Sequence, residues 1–541
     1  MYFIALSKIF SYLYSLQQFV IIYNKFFGKF WKFTIAYSGC NKVHFFAFTT
    51  AVKQGISQKK RCWWIMDIGK FLEIEKKYDL YNKEAENVNY WVYERFWLWN
   101  YRICAAKLNL MPSQSNAKQN IWGTVRTLSR LLKNCIFRGR MHSAKYNICF
   151  VAHERRSKRG DYYECIYTEE LSRRFKNSIT LEEPFELKHF KPVRNKELFY
   201  TDYILVQGEL YSRVHIKLKT KLYRKIYTKI MQDMENPLKE LISEYGLDIM
   251  PEELYGIFVR RVLIEKVCRN KYERLISQIN PKIIIEVVHY NAQNMMINEI
   301  ARKHGIKTIE LQHGTMHDEH LAYQYAVEQK IKQLPQMLFT FSEYWNQVIH
   351  IPNNSTKVIA VGFPFFEEKV KKVSRKGMSG IKNILFISQG TIGGYLYKLA
   401  VELDNLIDKD EYHIIYKLHP SENSDWKERY GVSGESNIEV IDNLDVNLYE
   451  LFSKSSIQVG VYSTAVYEGI GFGIRTYIYN IAHADTMERL VQMGAAEYIE
   501  SAEELLEKLM VENDTGNIKE FLWKTNAFQN ICVEISSLLM D

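Results

Sequence analysis

Residues 411–420, EYHIIYKLHP, read as an apolar strand that runs straight into a lysine, a histidine and a proline. A strand of this kind buries its side chains in a covered sheet, and its end brings the cation of Lys417 and the imidazole of His419 to the sheet's carboxyl edge. That edge is where open α/β sheets bind ligands. Pro420 fixes the turn and biases His419 away from the helical region.

Four more strand candidates surround this one: NILFISQG (383–390), NIEVIDN (437–443), IQVGVYST (457–464) and RTYIYN (475–480), with helix-length segments between them and SAEELLEKL (501–509) after them. An earlier series has the same rhythm: YNICFVAH (146–153), DYILVQG (202–208), KIIIEVVHY (282–290), KTIELQHG (307–314), MLFTFS (337–342) and KVIAVGFP (357–364). Its clearest unit is strand KIIIEVVH, helix NAQNMMINEIARKHG closed by Gly305, then strand KTIELQ. Strands alternating with helices predict parallel sheets with right-handed crossovers. The expected fold is therefore α/β, with two Rossmann-like domains facing a cleft and a helical extension before them.

The expected divisions are a basic aromatic leader at 1–65, an acceptor-side domain with a helical start at 66–375, a nucleotide-donor domain at 376–515, and a C-terminal helix at 516–541 packing back across the cleft. The serine- and glycine-containing KKVSRKGMSGIK (371–382) reads as the linker, and Pro112–Gln119 as another. In the helical start, VYERFWLWNYRI (92–103) places large apolar residues on most faces, as a buried or partner-packed helix does.

Apolar and charged fractions of 47% and 25% are those of an ordinary globular chain, which excludes disorder as the default. The eight cysteines are scattered, with no C-x-x-C pair and no zinc-type histidine spacing, as expected of reduced core thiols in a cytosolic protein. The net charge of +10 is concentrated: residues 1–65 hold nine Lys or Arg and no Asp or Glu, which leaves about +1 for the other 476. A nucleic-acid-binding body is not expected. The leader has three readings. Its longest uncharged run, Ile9 to Asn24, falls short of the roughly 20 apolar residues a spanning helix needs. It suits an interfacial anchor on anionic lipid, or a non-native start ahead of Met66.

Three strand ends in the second series carry polar groups toward one edge. ISQGTIGG (387–394) offers the Ser388 hydroxyl, the Gln389 amide and Gly390, where backbone can approach a phosphate closely. The second end is Lys417, His419 and Pro420. The third, VYSTAVYEGIGFG (461–473), sets Ser463 and Thr464 at the expected N-terminus of a helix, a ready anion site, with Glu468 one turn on. Together they describe a pocket for a nucleotide mono- or diphosphate. No G-x-x-x-x-G-K-[ST] loop or G-x-S-x-G elbow is present, and no D-x-D comes with an adjacent ligand set.

The KLHP and YSTAVYEGIGFG motifs resemble those of GT-B glycosyltransferase-like enzymes of bacterial surface and capsular polysaccharide synthesis, including the sialyl- and Kdo-type transferases and the CDP-glycerol glycerophosphotransferases. The resemblance covers roughly residues 280–500. It implies that His419 neutralises the departing donor phosphate, that Ser463 and Thr464 bind its oxygens, and that Glu468 reaches the ribose or base. YST departs from the family's more frequent serine pair, which leaves the nucleotide base open.

On the facing domain, ELQHGTMHDEH (310–320) holds Glu310, His313, His317, Asp318, Glu319 and His320 within eleven residues. A zinc site is one reading; a loop holding a general base is the other. Similar enzymes carry a His-Gly here, matched by His313. The expectation is a metal-independent glycosyltransferase, catalytic residues His313 and His419, that moves a sugar or polyol phosphate from a nucleotide-linked donor, cytidine by resemblance, to a glycan or lipid-linked glycan acceptor. It needs no metal or other cofactor, and it works in the cytoplasm or at the inner face of the plasma membrane. The alternatives are a nucleotide-sugar 2-epimerase and a non-catalytic scaffold of the same pathway.

Overall fold

The computed structural model describes residues 68–104, 135, 139–140, 145–185, 188–372, 380–390, 392–419, 422, 426–431, 437–442, 446–481, 483–511 and 518–540. The leader, the Pro112–Gln119 stretch, most of the 371–382 linker and Pro420 lie outside the described residues.

Helices α1 (Ile68–Lys77) and α2 (Tyr90–Leu98) open the described chain, and α2 runs on into a π-helical turn, Trp99–Cys104. Asn89 caps α2 by accepting a hydrogen bond from the Val92 amide. The first series then gives ten strands: β1 (Gly139–Arg140), β2 (Ile148–Val151), β3 (Arg156–Arg159), β4 (Tyr162–Cys165), β5 (Ser178–Glu182), β6 (Leu198–Tyr200), β7 (Ile283–Val287), β8 (Lys307–Leu311), β9 (Met337–Thr340) and β10 (Lys357–Ala360). β3 and β4 pair as a separate hairpin, and the others form one sheet in the order β1-β6-β5-β2-β7-β8-β9-β10. Only β1 runs antiparallel in that sheet.

The second series gives β11 (Lys382–Ile387), β12 (Tyr412–Lys417), β13 (Glu439–Ile441), β14 (Ser455–Gly460), β15 (Arg475–Tyr479) and β16 (Glu497–Ile499), all parallel, in the order β13-β12-β11-β14-β15-β16. Counted along the chain, that is 3-2-1-4-5-6, with the order reversing between β11 and β14. The first sheet reverses in the same way between β2 and β7. Ligands sit at such reversals because the loops on either side lead away from one another and leave a crevice. Residues 65–541 form one compact unit, in which the carboxyl edges of the two sheets face a shared cleft, the GT-B architecture expected from the sequence.

One expected strand is a helix. DYILVQG lies in α3 (Asp202–Lys217), which is followed by α4 (Lys221–Tyr245) and α5 (Pro251–Ile279). Its Ile-Leu-Val run looks β-like, but Ile204, Gly208 and Ser212 bury one helical face at four-residue spacing. Gly208 lets α3 approach α5 closely: a Cβ there would stand 2.5 Å from Cys268 Sγ. β1, β3, β4, β5, β6 and β16 were not expected as strands; none is longer than five residues. Helix α6 (Ala292–Lys303) follows its sequence signals, capped by the Asn291 side chain and ended by Gly305 at φ +71°. α7 (Gly393–Asp404) and α8 (Thr464–Gly471) follow β11 and β14.

The C-terminal segment is two helices, Ile518–Leu522 and α9 (Ala527–Met540), broken at Trp523–Asn526, with Asn526 at φ +57°. It straps the halves together. The Trp523 indole donates to Tyr467 O (3.1 Å) in the second half and stacks on Phe366 (4.0 Å) and Phe341 (5.2 Å) in the first. The Lys524 amide donates to Phe341 O, and the Glu367 carboxylate accepts from the Asn526 and Ala527 amides. Among the described residues no helix is long and apolar enough to cross a membrane.

Removing this buried aromatic strap empties a two-sided contact. Trp523→Ala is expected to cost about 3–5 kcal/mol of stability, measured by denaturant unfolding followed by circular dichroism.

Candidate functional site

At the reversal point of the second sheet, the Gln389 side chain accepts from the Tyr462 amide (3.2 Å) and ties the end of β11 to the end of β14. Ser388 is buried; its hydroxyl donates to Glu422 Oε1 (3.0 Å) and accepts from Tyr416 (3.1 Å). Gly390 lies in the turn toward α7 and does not line the cleft. The glycine whose bareness matters here is Gly393, where a Cβ would collide with Ser388 Oγ and the Tyr430 hydroxyl.

Lys417 ends β12. Its ammonium donates to the carbonyls of Leu418 (3.2 Å) and Ile441 (3.5 Å), and burial lowers its pKa. His419 is exposed at the cleft, its amide bonded to Glu422 Oε2; loss of hydration and then the Lys417 cation hold its imidazole below the usual value.

Ser463 is the N-cap of α8 and Thr464 its first residue. The Ser463 hydroxyl makes no capping bond, and its oxygen is buried without a partner among the described residues. A helix N-terminus carries a positive dipole end that favours negative charge; in this first turn the Val466 amide donates to Ser463 O (3.2 Å), and the Ser463 hydroxyl is left over. Glu468, one turn on, is 1% exposed. Burial raises its pKa, yet it accepts from Tyr449 (3.2 Å) and meets Arg155 Nη2 at 3.4 Å.

Arg155 comes from the first half, just past β2, and it was not anticipated from sequence. Its position was readable, because it follows the strand YNICFVAH as His419 follows β12. The same edge carries His153, whose ring is 5.7 Å from that of His313. After β7, Val288 adopts φ +66°. A β-branched residue there is strained; Asn294 Nδ2 clamps the turn by donating to the carbonyls of Val287 (2.9 Å) and Val288 (3.0 Å). The turn aims His289 and Tyr290 at the loop after β8.

There the buried Glu310 carboxylate accepts from the His289 amide (3.1 Å) and the Tyr323 hydroxyl (2.8 Å) and pairs with His289 Nδ1 (2.7 Å). Burial pushes its pKa up, but the charge and hydrogen bonds of His289 more than offset this and leave it lowered. His313 meets the Tyr290 hydroxyl through Nε2 (3.0 Å), and its backbone carbonyl accepts from Tyr167 (2.7 Å). Burial and the neighbouring His153 bring its pKa down to about 4, so the imidazole is neutral at physiological pH. Its Nδ1 is buried and without a partner among the described residues. His320 stacks on Phe96 of α2 (5.3 Å), which brings the helical extension to the site. Among the described residues no group of three or more His, Cys, Asp or Glu is placed to hold a metal ion.

The two edges enclose a cavity of about 790 Å³, lined from one side by Arg155, Thr315, His317 and His320 and from the other by Ser388, Gln389, Lys417, His419, Ser463, Thr464 and Glu468. Thr464 Oγ1 accepts from the Thr315 amide (3.3 Å), joining the N-terminus of α8 to the loop after β8. Near the rim Glu319 is pushed up to about 7 by burial, with Asp485 and Asp318 beside it. The volume is that of a small-molecule site. His313 is not among the residues that line the cavity; the imidazoles on the Arg155 side are His317 and His320, both held below the usual histidine value by burial.

No protein-family model matches the chain, and no curated protein does. Among solved structures it is similar to a UDP-GlcNAc 2-epimerase from Neisseria meningitidis bound to UDP-GlcNAc, at 11% identity and a TM-score of 0.42, over 73% of this chain and 100% of that one. It is similar to a UGT transferase from Siraitia grosvenorii in complex with UDP, at 10% identity and a TM-score of 0.41, over 73% and 100%. It is similar also to the wall teichoic acid polymerase TagF soaked with CDPG, at 12% identity and a TM-score of 0.39, over 78% and 98%.

The depressed pKa of His313 carries a signed consequence. Between about pH 4 and the value near 6.5 of an unfolded histidine, the unfolded chain binds a proton that the folded chain does not. This contribution to stability is present above 6.5 and is lost as pH falls. His313→Gln should therefore gain stability relative to the parent as pH is lowered, by at most about 1.4 kcal/mol per pH unit. Paired denaturation curves at pH 7, 6 and 5 measure the difference.

Proposed function

We propose that the protein transfers a sugar, or a polyol phosphate, from a nucleotide-activated donor to a hydroxyl of a surface-glycan acceptor. The observation that carries this reading is the unpartnered Ser463 hydroxyl in the cavity wall at the N-terminus of α8, where the neighbouring Thr464 bonds the loop that also holds the neutral His313. In glycosyl transfer, the acceptor oxygen bonds to the anomeric carbon as the bond from that carbon to the donor phosphate oxygen breaks. The acceptor's proton goes to His313, and the electron pair leaves on the nucleotide phosphate. The amides of α8, Ser463, Thr464 and His419 receive that developing charge. Preorganised donors of this type are each worth about 10² to 10³ in rate, enough for the step to run without a metal. Glu468, held by Tyr449 and Arg155, is the residue we assign to a ribose hydroxyl, on the resemblance of the YSTAVYEG motif. The cytidine preference rests on the resemblance of the KLHP and YSTAVYEG motifs alone.

The test is thermal unfolding with CMP, CDP, UDP and GDP. A ligand at 100 times its dissociation constant stabilises by about 2.7 kcal/mol. A cytidine-selective shift that is lost in His419→Ala supports the reading, a uridine- or guanosine-selective shift changes the donor, and no shift with any of the four overturns it in favour of a scaffold. Donor incubated alone should stay unchanged, whereas a 2-epimerase would interconvert it. His313→Asn should lower the transfer rate about 10²- to 10⁴-fold with nucleotide affinity kept, as single-turnover assays and titration calorimetry will show.

A further inference from the structure

The charge outside the leader nearly cancels in sum but not in place. Between Glu209 and Asp233 the chain holds seven Lys or Arg (Arg213, Lys217, Lys219, Lys221, Arg224, Lys225, Lys229) and no Asp or Glu. These residues form the end of α3, the start of α4 and the turn Leu218–Thr220 between them. The turn is fixed: Thr220 caps α4 by accepting from the Tyr223 amide (3.3 Å), its hydroxyl meets His215 Nδ1 (2.6 Å), and Lys219 takes φ +43°.

The inner face of α3 buries Ile204, Gly208 and Ser212. Its outer face repeats the same four-residue spacing with Leu210, Val214 and Leu218, which are 43%, 53% and 64% exposed. Exposed apolar residues along the outer face of α3, continued by Leu218 in the turn, call for a partner. Acids from packed elements reach only part of the cationic rim: Glu209 meets Arg213 (2.6 Å), Glu86 meets Lys225 (2.8 Å) and Asp233 meets Lys229 (2.8 Å). Among the described residues, Lys219, Lys221 and Arg224 are paired with no carboxylate. None of this hairpin lines the cleft.

We infer that the α3–α4 tip docks on an anionic lipid bilayer, its cations in the headgroup layer and Leu210, Val214 and Leu218 at the acyl boundary. A soluble polyanion would satisfy the cations and leave the leucines in water. A bilayer carrying negative headgroups satisfies both. The inference stands on the hairpin alone and is independent of the reaction in the cleft.

The experiment uses the full chain, co-sedimented at about 0.1 M salt with phosphatidylcholine vesicles, with and without about one-third phosphatidylglycerol. Each cation near such a surface strengthens partitioning about fivefold. The parent should prefer the anionic vesicles, and Lys219→Gln with Lys221→Gln and Arg224→Gln should lose about 100-fold. Leu210→Gln with Leu218→Gln, unchanged in charge, should lose at least severalfold. Equal binding by the parent and the triple variant places any membrane contact elsewhere and overturns the inference. So does a leucine variant that binds vesicles like the parent, in particular one that dextran sulfate displaces equally well, since that marks a soluble polyanion site. All substituted positions are at the surface; should the triple variant fail to match the parent's melting curve, the leucine pair decides alone.

Discussion

A parallel strand covered on both faces has nowhere to keep a polar side chain except at its ends. β7 is buried along its whole length, and its one mid-strand acid, Glu286, is held by Asn298 (2.7 Å) and pushed by burial well above the usual carboxylate range. Polar chemistry is thereby expelled to the carboxyl edges, and the reversal of strand order opens a crevice in each edge. Two sheets with facing crevices enclose one volume, and the contacts from Thr315 to Thr464 (3.3 Å) and from Arg155 to Glu468 (3.4 Å) join its walls.

What positions the first wall lies outside its sheet. Glu75 of α1 and Arg95 of α2 form a fully buried pair (2.6 Å), with Tyr81 and Trp91 also donating to the carboxylate. Arg95 spends its remaining donors on the carbonyls of Leu321 (2.7 Å) and Gln324 (3.0 Å), just beyond the histidine-rich loop. A pair of this kind offers little net stability over an apolar substitute, while losing one partner costs about 3–5 kcal/mol. Its worth is directional, since five fixed donors can fit one arrangement of helix and loop. The helical extension is thus part of the site's scaffold.

The second sheet's wall of the cavity was readable in the sequence because strand ends are punctuated by residues that strands avoid. Lys417, His419, Ser463 and Thr464 interrupt apolar runs, and all four line the cavity. Gly390 marked the right turn but not the residue that backbone crowding requires to be bare, which is Gly393. Features whose signal is spread over distant residues were not readable. Arg155 matters through Glu468, 313 positions away. The α3 misreading has the same source: an Ile-Leu-Val run favours a strand locally, and only the fit of Gly208 against Cys268 makes it a helix. Composition likewise hid the cationic tip, because the summed charge of the body balances acids that lie elsewhere.

The strap formed by the C-terminal helices also governs the order in which the molecule can be finished. The first half receives part of its cover from residues far downstream: Val361 O accepts from Asn530, Lys282 reaches Leu539 O, and Phe341 meets Trp523. A growing chain that has exposed the first half to solvent does not yet possess these residues, and it must synthesise the whole second half before it does. The first half therefore waits, incompletely covered, through the synthesis of some 150 residues, at the 5–20 residues per second of a ribosome. Long-range closure of this kind leaves apolar surface of the first half uncovered until the last residues of the chain are made.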